Sequence, residues 1–337
     1  MRFGRTLVLG MALAASTGLA AAPPASADVP VTQLSPLPGD TGGTASWIND
    51  HGVAVGSSYG NRSHAVRWSA DGTVAPLAAW SGDTDSSANG INASGVVVGD
   101  SSGGQQGRHA VRWGADGTVT DLGALPDGGT ASAEAVNDSG VAVGYSYTSG
   151  FDQHAVRWGV DGTATDLGTL PGDSASYAWG INADGVVVGS SSGPNGIRPV
   201  RWSADGVIAQ LGSANGAALG ISKDGVIAGY TKRQGVLDAT QWGLDGSATI
   251  LKAAPGHTSG TARISAGGTV FGASGTSDGG VRWHAATWAP NAAATLLGDL
   301  PGGDTSVARS VNAAGVTVGW AVKNGTTFPV RWASSRS

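Results

Sequence analysis

Tryptophan at the end of a short apolar run recurs at positions 68, 113, 158, 202, 242, 288 and 332, spaced by 45, 45, 44, 40, 46 and 44 residues. Units of about 40–50 residues built from short strands are the mark of propeller blades. One such unit cannot bury its own apolar faces, so neighbours must stack and the array must close or be capped. The repeat also limits where function can reside. Positions that recur in every unit serve the scaffold, and chemistry has to be sought where the units differ.

Composition agrees with an all-β chain. Glycine supplies 57 of 337 residues, while Glu occurs once, at Glu134, and Lys four times. Exposed helix faces are normally stocked with Glu, Lys and Gln, so the chain lacks the residues from which they are made. Val, Thr, Ile and Trp fill the stretches between Gly, Asp, Asn and Ser clusters, which is the chemistry of strands and turns.

Four strands are legible in each unit. Strand A ends on an apolar–Asn pair, as in Gly90-Ile91-Asn92 or Ser310-Val311-Asn312, followed by a hairpin glycine (Gly52, Gly95, Gly140, Gly185, Gly225, Gly268, Gly315). Strand B is a continuous apolar run closing on glycine, such as Val96-Val97-Val98-Gly99. Unbroken runs of this kind suit strands covered on both faces. Strand C is the x-Ala-Val-Arg-Trp segment, and an Asp-Gly hairpin leads from it to strand D in five units. Asp-Gly between apolar runs is a strong hairpin signal.

Counting the units settles closure. Seven A-to-C units are present, but only five residues follow Trp332, too few for a hairpin and a D strand. At the other end Val31–Leu34, followed by Leu37-Pro38-Gly39-Asp40, reads as a D strand with no blade before it. The expectation is a seven-bladed β-propeller of four-stranded blades, its ring closed by the N-terminal strand, which removes the sheet edges of an open array. The fifth unit is the shortest, and the sixth has Asn291 in place of Asp-Gly.

Leu167-Gly168-Thr169-Leu170-Pro171-Gly172, Gly180–Gly189 and His109-Ala110-Val111-Arg112-Trp113 together resemble the HAF-type extracellular repeat family of bacteria. The resemblance covers essentially all of the chain after residue 27 and implies export and a propeller-like fold. It supplies no catalytic or binding residues. Where the family has His-Ala-Phe, this chain has His-Ala-Val.

Export is also read from the residues themselves. Arg2 and Arg5 precede an apolar stretch from Leu7 to Ala22, then Pro23-Pro24-Ala25-Ser26-Ala27. A charged start, an apolar run too short to span a bilayer and a small-x-small site make residues 1–27 a secretory signal peptide, with residues 28–337 as a single propeller domain. Without cysteine the chain has no disulfide and no lipidated thiol. Its acidic balance, 24 Asp+Glu against 19 Lys+Arg, argues against a nucleic-acid partner. The expected product is a secreted monomer without a membrane anchor.

Several residue types invite chemistry that their positions explain otherwise. His64, His109, His154 and His284 each lie four residues before a strand-C Trp and so fall on different blades at one register. His51 and His257 lack the spaced His, Cys or carboxylate partners that a zinc site requires. Asp83-Thr84-Asp85 is too short for a calcium loop and reads as a turn. Gly-x-Ser-x-Gly occurs at 56–60, 99–103 and 189–193. A nucleophile elbow needs a strand-to-helix turn that an all-β repeat does not provide, so Ser58, Ser101 and Ser191 are not nucleophiles. Each strand-C Trp is assigned to the core between blades, and the Arg before it to a neighbouring blade or a backbone carbonyl.

The differences between units point elsewhere. Two positions before the Ile or Val of strand A stand Ser46, Asn89, Glu134, Trp179, Leu219, Ala262 and Arg309, a column that does not repeat. Trp47 and Arg263 adjoin it, and Tyr177 precedes Trp179 by two. Just after strand B, Tyr145, Tyr230 and Trp320 replace the Ser, Asp or Ala of other units. Strand A starts at the face where the D–A and B–C loops emerge, so this column is expected around that mouth of the central channel. Aromatic faces beside a few charged and amide groups suit a small polar ligand or a glycan. The candidate ligand residues are Glu134, Trp179, Tyr177, Arg309, Asn89, Trp47 and Arg263, with no catalytic residue, metal or cofactor. The leading expectation is a binding module for a glycan, a cell-wall polymer or an extracellular protein partner. A structural subunit of an extracellular assembly is the alternative, and a propeller hydrolase or lyase stands behind both.

Overall fold

The computed structural model describes residues 29–333, apart from 105, 106, 127, 151 and 277–281; residues 1–27, which the sequence reads as a signal peptide, lie outside the described residues. Seven four-stranded antiparallel sheets follow one another round a central channel, a seven-bladed β-propeller. The inner A strands are Gly42–Ile48, Asp85–Ile91, Ala131–Val136, Ala175–Ile181, Gly216–Ile221, Ser259–Ile264 and Gly303–Val311, on blades 1 to 7. In the seventh blade the outermost strand is Val31–Gln33, paired with Thr326–Trp332 in the register Val31↔Trp332 and Gln33↔Val330. The ring is closed by the N-terminal strand, as the strand count requires. The sixth blade keeps its fourth strand, Thr295–Leu296, because Asn291 takes the left-handed conformation (φ 60°) that glycine supplies elsewhere.

Seven apolar clusters fill the seven gaps between blades, and each contains one strand-C Trp. Six of these indoles are fully buried and Trp288 nearly so. Five donate Nε1–H to a carbonyl of the preceding D–A connection, for example Trp68 to Ser35 (2.7 Å) and Trp113 to Ala78 (2.7 Å). The indole thus fills one gap and fixes the loop that bridges it. The neighbouring arginines complete the same joint. Arg67, Arg112, Arg157 and Arg331 each reach the A–B hairpin glycine carbonyl of the next blade, at 2.8–3.0 Å.

A ring of asparagines lies at the hairpin end of the channel. The side-chain amide of Asn312 donates to the Asn49 carbonyl, Asn49 to Asn92, Asn92 to Asn137 and Asn137 to Asn182, at 3.1–3.2 Å. Each Oδ1 meanwhile accepts the N–H four residues on, closing its own hairpin, as Asn92 does for Val96 (2.9 Å). Blades 5 and 6 carry Ser222 and Ser265 instead, whose hydroxyls keep only the hairpin bond. Asn92→Ala should therefore cost about 1–3 kcal/mol, the penalty of leaving buried partners unsatisfied. Asn92→Ser should cost less, since it retains the Val96 bond. Denaturation midpoints in which both variants lose the same amount would show that the hairpin bond to Val96 contributes nothing.

Candidate functional site

A local irregularity, repeated blade after blade, builds the site. In six of the seven A strands the pairing with strand B slips by one residue just after a buried alanine. The extra, unpaired residues are Ser46, Asn89, Glu134, Trp179, Leu219 and Arg309. A bulge of this kind bends the strand and re-aims one side chain. The recurring glycine is the third residue of strand B and lies tight against strand A in every blade, the unbulged sixth included. A Cβ on Gly144 would lie 2.0 Å from the Ser132 carbonyl oxygen, one on Gly189 would lie 1.8 Å from that of Tyr177, and one on Gly272 would lie 2.1 Å from that of Thr261. Only glycine lets the two strands lie that close.

Blade 6 departs from the expected register. Its A strand pairs without a slip, Ala262↔Gly272 and Arg263↔Phe271, so one residue rather than two separates the buried alanine from Ile264. Counted from the buried alanine, the variable position here is Arg263 and not Ala262. Counting back from Ile264 misses the deletion.

Ser46, Trp47, Asn89, Glu134, Trp179, Arg263 and Arg309 line one small chamber with about 20 Å³ of free volume. Six of the seven candidate residues therefore converge, within the channel and below its rim. Tyr177 stands outside the lining but stacks on Trp179, ring centroids 5.6 Å apart and planes 4° from parallel. Tyr145 follows at 5.2 Å from Tyr177, tilted by 57°. The three rings run from the chamber along blades 4 and 3 toward the D–A and B–C loops. Trp47 stands where other A strands have Gly90, Ala135, Gly180, Gly220 or Ser310. It also lines the second, wider cavity of about 470 Å³ at the hairpin end, so its indole stands between the two spaces.

The charges in the chamber are placed at a cost. Burial pushes the Glu134 carboxyl up; its hydrogen bond from Ser132 (3.0 Å) and the two arginines pull the other way, and Asp100 adds to the rise. Asp100 is itself raised by burial, against Arg108 at 3.3 Å and hydrogen bonds from Asn89 (3.4 Å) and Ser132 (3.5 Å). Burial lowers Arg309, and burial with Arg309 beside it pushes Arg263 down to about 9. The Asp100–Ser132–Glu134 contact joins blades 2 and 3 and was not read from the sequence. Asp100 occupies the column of Tyr145, Tyr230 and Trp320, which is the signal that would have found it.

A pH test follows from these directions. A carboxyl whose folded pKa is raised binds protons more readily folded than unfolded, so stability falls as pH rises from the unfolded value toward the folded one. Glu134→Gln should flatten this slope above the ordinary carboxylate value of 4.5. Urea titrations across weakly acid pH would check it; an unchanged slope would mean that Glu134 stays ionised as freely as in water.

Other candidates have structural employment. Each of the four strand-C histidines meets an aspartate, as His64 meets Asp40 (3.2 Å) and His284 meets Asp299 (2.7 Å). Ser58, Ser101 and Ser191 are fully buried. Their hydroxyls accept the N–H of Leu37, Trp80 and Leu170 in the D–A loops, and Ser58 and Ser191 donate to Asp40 and Asp173 at 2.6 Å. They are loop anchors. Asp83 and Asp85 are tied to His109 and Arg62 at 3.2 and 3.1 Å. Among the described residues no cluster of three or more His, Cys, Asp or Glu is arranged to hold a metal.

No protein-family model and no curated protein matches this sequence. Solved structures share its fold. A Mycobacterium tuberculosis puromycin-hydrolyzing peptidase superposes with a TM-score of 0.60 at 12% identity, over 85% of this chain and 50% of its own. A puromycin hydrolase gives 0.58 at 16%, over 85% and 51%. A streptogramin B lyase gives 0.53 at 11%, over 89% and 96%. This chain spans about half the length of the two hydrolases. At these identities the likeness is one of fold, which hosts unrelated activities.

Proposed function

We propose that this chain is a secreted propeller that binds a polar ligand, a glycan or the end of a cell-wall polymer or protein, at the D–A face of its channel. One observation carries the reading. Six of the seven positions at which otherwise similar blades differ, all but Leu219, line a single chamber, with a stack of three aromatic rings leading to it. The chamber's 20 Å³ is room for one or two waters at roughly 10–15 Å³ each. A sugar ring would therefore rest on Tyr145, Tyr177 and Trp179, with only a terminal group inside. The apolar run behind Arg2 and Arg5, and the HAF-type repeat motifs, support export.

Trp179→Ala removes the inner ring of the stack and should weaken binding by about 1–3 kcal/mol, the usual worth of an aromatic stacking platform. A glycan array, with titration of any hit against wild type and variant, measures this. Equal affinities would remove the stack from the binding surface. A second reading, a hydrolase or lyase, rests on Asp100 and Glu134, two carboxyls raised by burial and joined through Ser132, since perturbed acids gather at reactive sites. Turnover of an array hit, lost in Glu134→Gln while binding persists, would favour it.

A further inference from the structure

We propose that the chamber binds a compact monovalent anion, a halide or a single carboxylate head, between Arg263 and Arg309. The scaffold arginines set the contrast. Arg67, Arg112, Arg157 and Arg331 each find a carbonyl on the next blade. The two chamber arginines do not share that arrangement. Among the described residues Arg263 has one hydrogen bond, to the Leu219 carbonyl at 3.2 Å. Arg309 makes no hydrogen bond and no ion pair within 4 Å among the described residues, although it lines the same chamber as Glu134. Each guanidinium carries five N–H donors, so most of this donor capacity faces the chamber unused.

The nearest acid does not answer the need. Glu134 is held by Ser132 and pushed toward its neutral form by burial and by Asp100. Two guanidiniums against one reluctant carboxyl leave the chamber cationic. An anion there would accept N–H bonds from both blades, the charge-assisted type that is strongest. Size selects among anions. A space of about 20 Å³ fits a halide or the end of a carboxylate and is too small for a phosphate group or a sugar.

The inference concerns the chamber of the proposed function, but its test requires no glycan, so the two can fail separately. Melting is compared at equal ionic strength in sodium chloride, sodium acetate and sodium methanesulfonate, whose tetrahedral head, like a phosphate group, is too large to enter. An anion that binds only the folded chain raises the melting temperature in proportion to the logarithm of its concentration once it exceeds Kd. The expected result is a higher melting temperature in chloride or acetate than in methanesulfonate. A chloride response assigns a free halide; a response to acetate alone assigns the carboxylate end of an organic ligand. Arg309→Gln should abolish the difference. Glu134→Gln, which removes the acid nearest the two arginines without touching them, should bind the anion at least as tightly as the wild type. That second variant guards against Arg309→Gln failing to fold. Equal melting in all three salts, an unchanged difference in Arg309→Gln, or weaker binding in Glu134→Gln would overturn the proposal.

Discussion

Removing residues 28–38 is expected to open the ring and lower the melting temperature by roughly 10 °C or more, whereas a control lacking residues 334–337 should melt like the full chain. The segment does more than add three residues to a sheet. Besides the Val31–Gln33 ladder, Leu34 donates its N–H to Pro329 (2.8 Å) and Ala333 donates to Pro30 (3.1 Å). Val29 packs in the gap between blades 6 and 7, and Leu34 in the gap between blades 7 and 1. At about 1.5–3 kcal/mol per buried side chain, these two alone account for roughly 3–6 kcal/mol. Folded domains have only about 5–15 kcal/mol in total, and each kcal/mol moves the melting temperature by about 2–4 °C in chains of 150–250 residues. Loss of the segment also exposes the edge of Thr326–Trp332, so aggregation should accompany the destabilisation. Equal melting of the two truncations would mean that the seventh blade holds without its outer strand.

Truncating one interblade indole should approach the same scale. Trp158 is fully buried among Val98, Ala110, Leu122, Leu125 and Ala133, and donates to the Gly123 carbonyl at 3.0 Å. Trp158→Ala should cost about 3–5 kcal/mol for the cavity alone. The orphaned Gly123 carbonyl adds on the order of 1 kcal/mol. Trp242 is an internal comparison: it is equally buried, but its Nε1 has no hydrogen-bond partner. Trp242→Ala should therefore fall below Trp158→Ala in urea denaturation. If the two cost the same, the indole N–H contributes nothing to the joint between blades.

The contrast between these Trp residues and Trp179 shows what sequence could reveal. Repetition exposes the scaffold, because a large ring or an Arg at one register in every blade has to meet the same neighbour each time. Blade number, ring closure and the roles of the strand-C Trp and Arg are legible for that reason. The variable column is legible by the opposite signal. What sequence hides is register. A bulge has no composition of its own, so the glycine opposite it reads as a mere strand end, and the one-residue deletion in blade 6 moves the variable position from Ala262 to Arg263 unnoticed. Contacts that cross between blades are hidden as well. Asp100 and Glu134 meet through Ser132 only because stacking of adjacent blades brings strand B of blade 2 against strand A of blade 3. The asparagines are visible as a recurring letter, while the interblade ladder they form from blade 7 through blade 4 requires neighbouring blades in place.

The central claim is that recognition resides in the non-repeating residues of the channel and not in the repeated loops. Differential hydrogen exchange of the full chain, with and without a hit from the glycan array, tests it most directly. The account predicts that protection rises on Ala131–Val136, Ala175–Ile181 and Gly303–Val311, the strands that carry Glu134, Trp179 and Arg309. Protection confined to the Asp-Gly hairpins at Gly117, Gly162 and Gly206, with those three strands unchanged, would contradict it.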